Sequence, residues 1–251
     1  MVKCWASSLG DCSDKQSGEH YFTKGLFKGE TAIVGGFEWL DGETKELGLP
    51  VLIANILCEK HNNQLSELDS EAIRVFKYFE EIVRLQEVRK GLKRTNFFHV
   101  KRYYADGVLF ERWVAKMLIG YFCVNGKGKS WHLTQTERNN PPDVIVNAVY
   151  GKIRFAEPMG LYLAYTVGDT HDSPSGIAVT PYFHPNGGFI GGFVEFRGFR
   201  FVMWLSDEPV MIFRNPEGVE FGTGAKDLIH PIEAMKFDVG KVRSQVLEFK
   251  W

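Results

Sequence analysis

From His61 onward, apolar residues recur at three- and four-residue spacing: Leu65, Leu68, Ala72, Ile73, Phe76, Phe79, Ile82 and Val83 fall on one stripe. That period predicts an amphipathic helix, with a break expected near Asp69-Ser70. A second helix is predicted over about 106–122, where Val108, Leu109, Trp113, Val114, Met117, Leu118 and Tyr121 share a side, and where Asp106 is placed to cap the first turn. Ahead of both helices the chain is rich in Gly and Asp. Two short apolar pieces there, 31–34 and 51–57, predict strands joined by a loop around Asp41-Gly42.

Beyond about position 130 the period changes to that of strands. Segments 152–155, 160–167, 176–183, 188–196, 199–205, 210–213 and 245–249 predict an antiparallel sheet, punctuated by turns such as His184-Pro185-Asn186-Gly187-Gly188. Gly187-Gly188-Phe189-Ile190-Gly191-Gly192 lacks the lysine and following helix of a phosphate loop and predicts a hairpin with close backbone packing. The aromatic residues crowding this half, Tyr162, Tyr165, Tyr182, Phe183, Phe189, Phe193, Phe196, Phe199, Phe201 and Trp204, fit a core or dimer interface better than a stacking platform for bases.

Composition adds the class. The 251 residues are 44% hydrophobic and 24% charged, which excludes a disordered or fibrous chain and allows a substantial core. No stretch reaches the roughly 18 apolar residues needed to span a bilayer, so a cytoplasmic protein is expected. The formal net charge of -1 hides one basic run, in which Arg84, Arg89, Lys90, Lys93, Arg94, Lys101 and Arg102 face a single acid, Glu87. A polyanion would find a docking surface there; a solvated helix face explains the run equally well.

Four cysteines suit one metal site in a reducing compartment better than a disulfide framework. Cys4 and Cys12 precede the pair Glu19-His20, and Cys58-Glu59-Lys60-His61 follows it at a helix start. Zinc takes four tetrahedral thiolate and imidazole ligands, and a two-residue gap on a helix lets Cys58 and His61 reach one ion. A glycine-rich segment of this size has little core of its own, and structural zinc contributes on the order of 10 kcal/mol to folding. The seven-residue gap between Cys4 and Cys12 exceeds that of a zinc knuckle, and buried unligated cysteines are the alternative.

The order Cys4, Cys12, Ser17-Gly18-Glu19-His20, then Asn55-Ile56-Leu57-Cys58-Glu59-Lys60-His61-Asn62-Asn63, resembles the HNH, or ββα-metal, endonuclease family in its zinc-binding form. The likeness covers about the first 70 residues. It implies zinc on Cys4, Cys12, Cys58 and His61, a strand ending at Glu19-His20, and hydrolysis of DNA phosphodiester bonds. His20 would be the general base and Asn55 the residue orienting its imidazole, with Glu19 and Asn62 or Asn63 on a catalytic Mg²⁺ or Mn²⁺ ion. His61 stands where the family more often has cysteine, and Phe22-Thr23 stands where a proline usually follows. Small proteins of this family occur in phage defence, mobile elements and phage genomes.

The expected architecture is α+β: a zinc-stapled ββα-metal module over 1–75, a helical basic linker over 76–128, and a β-rich domain over 129–251 that recognises a substrate, a protein partner or a second copy. Nucleic acid is the expected partner, DNA before RNA. Two other classes stay open. One is a non-catalytic zinc-fold module that binds nucleic acid or protein. The other is an enzyme with its site around Asp169, His171, Asp172 and His184, residues that are also common in turns.

Overall fold

The computed structural model describes residues 3–27, 29–35, 40, 43–92, 99–164, 176–196, 198–210, 213–214, 220–221, 228–239 and 242–251. A three-ten turn, Ser7–Leu9, precedes β1 (Gln16–His20), β2 (Thr31–Gly35), β3 (Thr44–Gly48) and β4 (Ile53–Cys58). Helices α1 (Glu59–Asn63) and α2 (Ser66–Lys90) follow, then β5 (Lys101–Asp106), α3 (Gly107–Asn125), β6 (Ser130–Trp131) and α4 (Asp143–Val149). The remaining strands are β7 (Gly160–Ala164), β8 (Gly176–Phe183), β9 (Gly188–Phe196), β10 (Phe199–Trp204), β11 (Phe213–Arg214), β12 (Glu220–Phe221), β13 (Leu228–Ile229), β14 (Ala234–Val239) and β15 (Val242–Lys250).

The fold is a mixed α/β arrangement built on a large sheet of order β13-β7-β10-β9-β8-β2-β3, with β6 added beside β9. Helices α2 and α3 cover it. Phe76 and Phe79 of α2 and Phe110 and Trp113 of α3 meet Phe196, Phe199 and Phe201 of the sheet, and Phe79 stacks on Phe199 with ring centroids 4.0 Å apart. These rings are buried, and truncating one to alanine costs about 3–5 kcal/mol. The aromatics are therefore core. Strand β9 approaches β10 most tightly at Gly191, whose φ is +134° and where a Cβ would fall 2.1 Å from the Met203 carbonyl oxygen.

Several expectations change. The first long helix is not broken at Asp69-Ser70; the break falls at Gln64-Leu65, between α1 and α2. Ser70 Oγ donates to the Ser66 carbonyl at 3.0 Å and Asp69 sits in the first turn, where the helix dipole favours an acid. Segment 152–155 is not a strand, and the 31–34 and 51–57 pieces do not pair with each other. Instead β4 pairs antiparallel with β1, while β2 pairs with β3 and runs parallel to β8. The sheet structure is thus not purely antiparallel, since β15 is also parallel to β5.

Ala32 and Val34 of β2 are buried in the same cluster as the sheet behind them, and β5 docks on β15 at the far end of the chain. Asp41-Gly42, Tyr165 and the acidic and histidine residues at 169–172 lie outside the described residues. No helix among the described residues is long and apolar enough to cross a membrane.

Candidate metal centre and the adjoining strand end

Cys4, Cys12, Cys58 and His61 come together at one point, their ligand atoms within 4.8 Å of one another. Cys58 caps α1 and His61 lies one turn in, so both side chains leave the same end of the helix. The N-terminal segment is brought up by the Trp5 N–H, which donates to the Ile56 carbonyl at 2.9 Å. The Cys12 loop is held by the Glu59 N–H on the Lys15 carbonyl at 2.9 Å and the Lys60 N–H on Ser13 Oγ at 3.3 Å. The wide Cys4–Cys12 gap is spanned by the Ser7–Leu9 turn.

His61 Nδ1 lies 3.3 Å from Cys4 Sγ, 3.6 Å from Cys12 Sγ and 3.3 Å from Cys58 Sγ. Zinc bonds of about 2.3 Å to sulfur and about 2.0–2.1 Å to nitrogen give tetrahedral S···N edges of about 3.5 Å, so the donor set fits one zinc ion. The four residues would hold it, and its charge would neutralise the thiolates, which are hard to form at Cys4 and Cys12. Burial pushes the Cys4 thiol up to about 12 and also raises Cys12. Cys58 is opposed by burial too, but backbone N–H donors at His61 and Ser13 outweigh it and bring the thiol down to about 6.

On the other side of the imidazole, Nε2 lies 2.7 Å from Asp11 Oδ1, which leaves Nδ1 as the free lone pair. Lys60 Nζ holds the second carboxylate oxygen at 2.5 Å, and these two partners bring the Asp11 carboxyl down to about 2. Sequence reasoning did not single out Asp11. Tyr150, at the end of α4, donates its hydroxyl to the His61 carbonyl at 3.1 Å and sets its ring edge-on to the imidazole, closing the site from above.

β1 ends at His20, one strand away from the cluster. Ser17 pairs with Leu57 but Glu19 pairs with Ala54, so β4 bulges by one residue and places Asn55-Ile56 opposite Gly18. His20 is half-buried, and burial together with the charges of Lys24 and Lys116 holds its imidazole below the ordinary value, hence neutral at pH 7. Asn55 is exposed on β4, and among the described residues no hydrogen bond joins it to His20, so the expected orienting contact is not made. Asn62 donates from Nδ2 to Ser17 Oγ at 2.8 Å, and Asn63 is exposed.

Glu19 departs most from expectation. Its side chain is buried, and Lys116 of α3, equally buried, places Nζ 2.8 Å from Oε1, off the hydrogen-bonding axis, and 2.7 Å from Asp69 Oδ1. Thr23 donates to the same Asp69 oxygen at 2.5 Å and receives the Trp113 Nε1–H at 2.8 Å. Burial raises the Glu19 carboxyl in spite of Lys116, while the two carboxylates outweigh burial and raise the Lys116 ammonium. As arranged, this donor set does not fit a hard divalent ion, because an ammonium already supplies the counter-charge.

Of the basic run, Arg84 is exposed and Arg89 reaches the His99 carbonyl at 3.5 Å. Lys101 and Arg102 are ion-paired with Glu81 and Glu248, so the local positive charge is smaller than the sequence suggests. Lys93, Arg94 and the side chain of Lys90 lie outside the described residues. In comparisons with known proteins, the chain matches no family model, no curated protein and no solved structure.

Proposed function

We propose that the chain is an endonuclease of the HNH kind, hydrolysing phosphodiester bonds of DNA, with structural zinc on Cys4, Cys12, Cys58 and His61 and with His20 as general base. The observation that carries this reading is positional. His20 occupies the last place of β1, whose partner strand β4 runs directly into Cys58 and His61, so a zinc-held unit would present an imidazole at its edge. A neutral imidazole can take a proton from an attacking water at physiological pH, and the depressed basicity of His20 keeps it neutral there. Arg84 and Arg89 would meet the phosphate backbone.

A Mg²⁺ or Mn²⁺ ion belongs to this class of reaction, but Lys116 already balances the charge of Glu19. That same pair favours a second reading, in which the zinc-held unit is a scaffold for binding nucleic acid or protein without cutting.

Plasmid cleavage by the wild type and by His20→Ala, each with and without Mg²⁺ or Mn²⁺ and after bound zinc has been quantified, separates the two. Cleavage by the wild type that disappears in His20→Ala is the expected result, and the arms with and without Mg²⁺ or Mn²⁺ show whether a divalent ion takes part. Zinc-loaded wild type that cuts neither duplex, single-stranded DNA nor RNA would leave the binding scaffold as the function.

A further inference from the structure

A second group of metal-ligating side chains lies at the turn between β8 and β9. His132 follows β6, His184 follows β8 and Glu208 follows β10, and their ligand atoms lie within 4.8 Å of one another. His132 Nε2 is 3.1 Å from Glu208 Oε1 and His184 Nε2 is 3.3 Å from Oε2, with the two imidazole rings 4.2 Å apart. We propose that His132, His184 and Glu208 form a second metal site, taking one divalent first-row transition ion of the zinc type and leaving coordination positions open to solvent.

The spacing accommodates one ion between the three ligands. Charge-assisted N–H···O⁻ contacts close to about 2.7–2.9 Å. Ligands held at about 2.0–2.1 Å around a tetrahedral ion stand about 3.3 Å apart. The observed 3.3 Å matches the second value, and 3.1 Å lies between the two. The donor chemistry agrees, since two imidazoles with one carboxylate and an open position is the composition of exchangeable zinc sites. Asp207, next to Glu208, adds a second negative charge to the neighbourhood of the ion.

The backbone holds all three ligands before any ion arrives. The His132 N–H donates to the Phe189 carbonyl at 3.1 Å, and the His184 N–H to the Gly188 carbonyl at 2.8 Å. Trp204 Nε1 donates to the Glu208 carbonyl at 2.8 Å, and the Glu208 N–H donates to Ser206 Oγ at 3.2 Å. Gly188 makes the close approach possible: a Cβ there would stand 2.6 Å from His132 Cα, a backbone atom that cannot step aside.

The remaining ring nitrogens face Asn186, whose backbone N lies 3.3 Å from His184 Nδ1 and whose Nδ2 lies 3.4 Å from His132 Nδ1. Contacts of this length are weak. In the metal-free state the rings present Nε2–H to Glu208 and accept on Nδ1 from Asn186; an ion on Nε2 would shift the proton to Nδ1 and give up both of these weak contacts. The ligands are partly exposed, and Leu133 and Asp207, beside His132 and Glu208 in the chain, line a cleft of about 830 Å³.

This site shares no side chain with the cysteine cluster or with His20, and its test is a metal count. Full-length protein dialysed against Zn²⁺ is expected to hold two zinc ions per chain, and His184→Ala and Glu208→Gln one each. In a Co²⁺ titration the first equivalent should give thiolate-to-cobalt charge transfer and the second should not. Both variants should keep the charge-transfer band, which also certifies that the cysteine cluster is folded, and lose the second equivalent. Gly188→Ala should weaken the second equivalent alone. One zinc per chain in a wild type whose cobalt form shows the thiolate charge-transfer band, or a zinc count equal to that of the wild type in Glu208→Gln, which preserves shape and removes only the charge, would overturn the proposal.

Discussion

Asp11 and His61 stand in line with the cysteine cluster: Asp11 Oδ1 receives the Nε2–H of the imidazole at 2.7 Å, and the opposite nitrogen faces the three sulfurs. The carboxylate thereby selects the tautomer in which Nδ1 offers a lone pair, and it makes that nitrogen a stronger donor. Asp11→Asn keeps the shape but weakens that hold, and an asparagine side chain can present its amide to Nε2 instead. Zinc affinity, measured by competition with a chromophoric chelator, should fall by roughly 10–100-fold, with the fold intact at saturating zinc. An unchanged affinity would mean that Asp11 only pairs with Lys60.

Lys116 ties three elements together, joining Glu19 of β1 to Asp69 of α2 from its place on α3. Removing one partner of a buried ionic group strands the others, at a cost of about 3–5 kcal/mol. Lys116→Met should therefore lower the thermal midpoint by roughly 6–20 °C, each kcal/mol being worth roughly 2–4 °C in a chain of this size. The triple variant Lys116→Met, Glu19→Gln, Asp69→Asn should recover part of the loss, because no buried charge is then left alone. Calorimetry on the three proteins decides, and a silent Lys116→Met would show that the triad is hydrated.

How far the sequence reveals these features depends on the distance over which each is encoded. Cys58 and His61 are readable because one helical turn sets their geometry. Cys4 and Cys12 are readable as residue types, but the turn that spans their gap is not. The helix over 107–125 is evident from its apolar stripe and from Asp106, whose carboxylate accepts the Leu109 N–H at 2.9 Å. The stripe misleads about the other face, because β1 and α2 cover the side that carries Lys116, and periodicity is blind to what packs from elsewhere in the chain. The β5–β15 pairing joins residues some 140 positions apart and leaves no local trace. His184 stands out in sequence only as a turn histidine. Its partners His132 and Glu208 arrive from two other strand ends, which only the sheet order brings together.

His20 titrates under the influence of burial first and then of Lys24 and Lys116, all of which disfavour the charged ring. If it is the base for cleavage, the acidic limb of the pH–rate profile should lie below the ordinary histidine value of 6.5. Lys24→Gln removes one of the opposing charges and should move that limb toward higher pH without abolishing cutting. Lys24 is exposed, so the change should shrink as salt is added. A profile that ignores Lys24→Gln at low salt would place the base elsewhere.

Glu111 offers a test of the fold that is independent of any activity. It is buried on α3, where burial drives its carboxyl up to about 7, against the opposing pull of the Leu161 N–H, which donates to Oε1 at 2.9 Å, and of Arg154. A carboxyl raised in the folded state favours folding while it is protonated. Its contribution is fully present below the unfolded value of 4.5 and is lost as pH rises through about 7. Glu111→Gln keeps an acceptor for Leu161 and has no proton to lose. Between about pH 4.5 and pH 8 the variant should gain stability over the wild type by on the order of 3 kcal/mol, read from urea unfolding midpoints at a series of pH values. Parallel curves would mean that Glu111 titrates as if in water, and that the packing of α3 against β7 is looser than described.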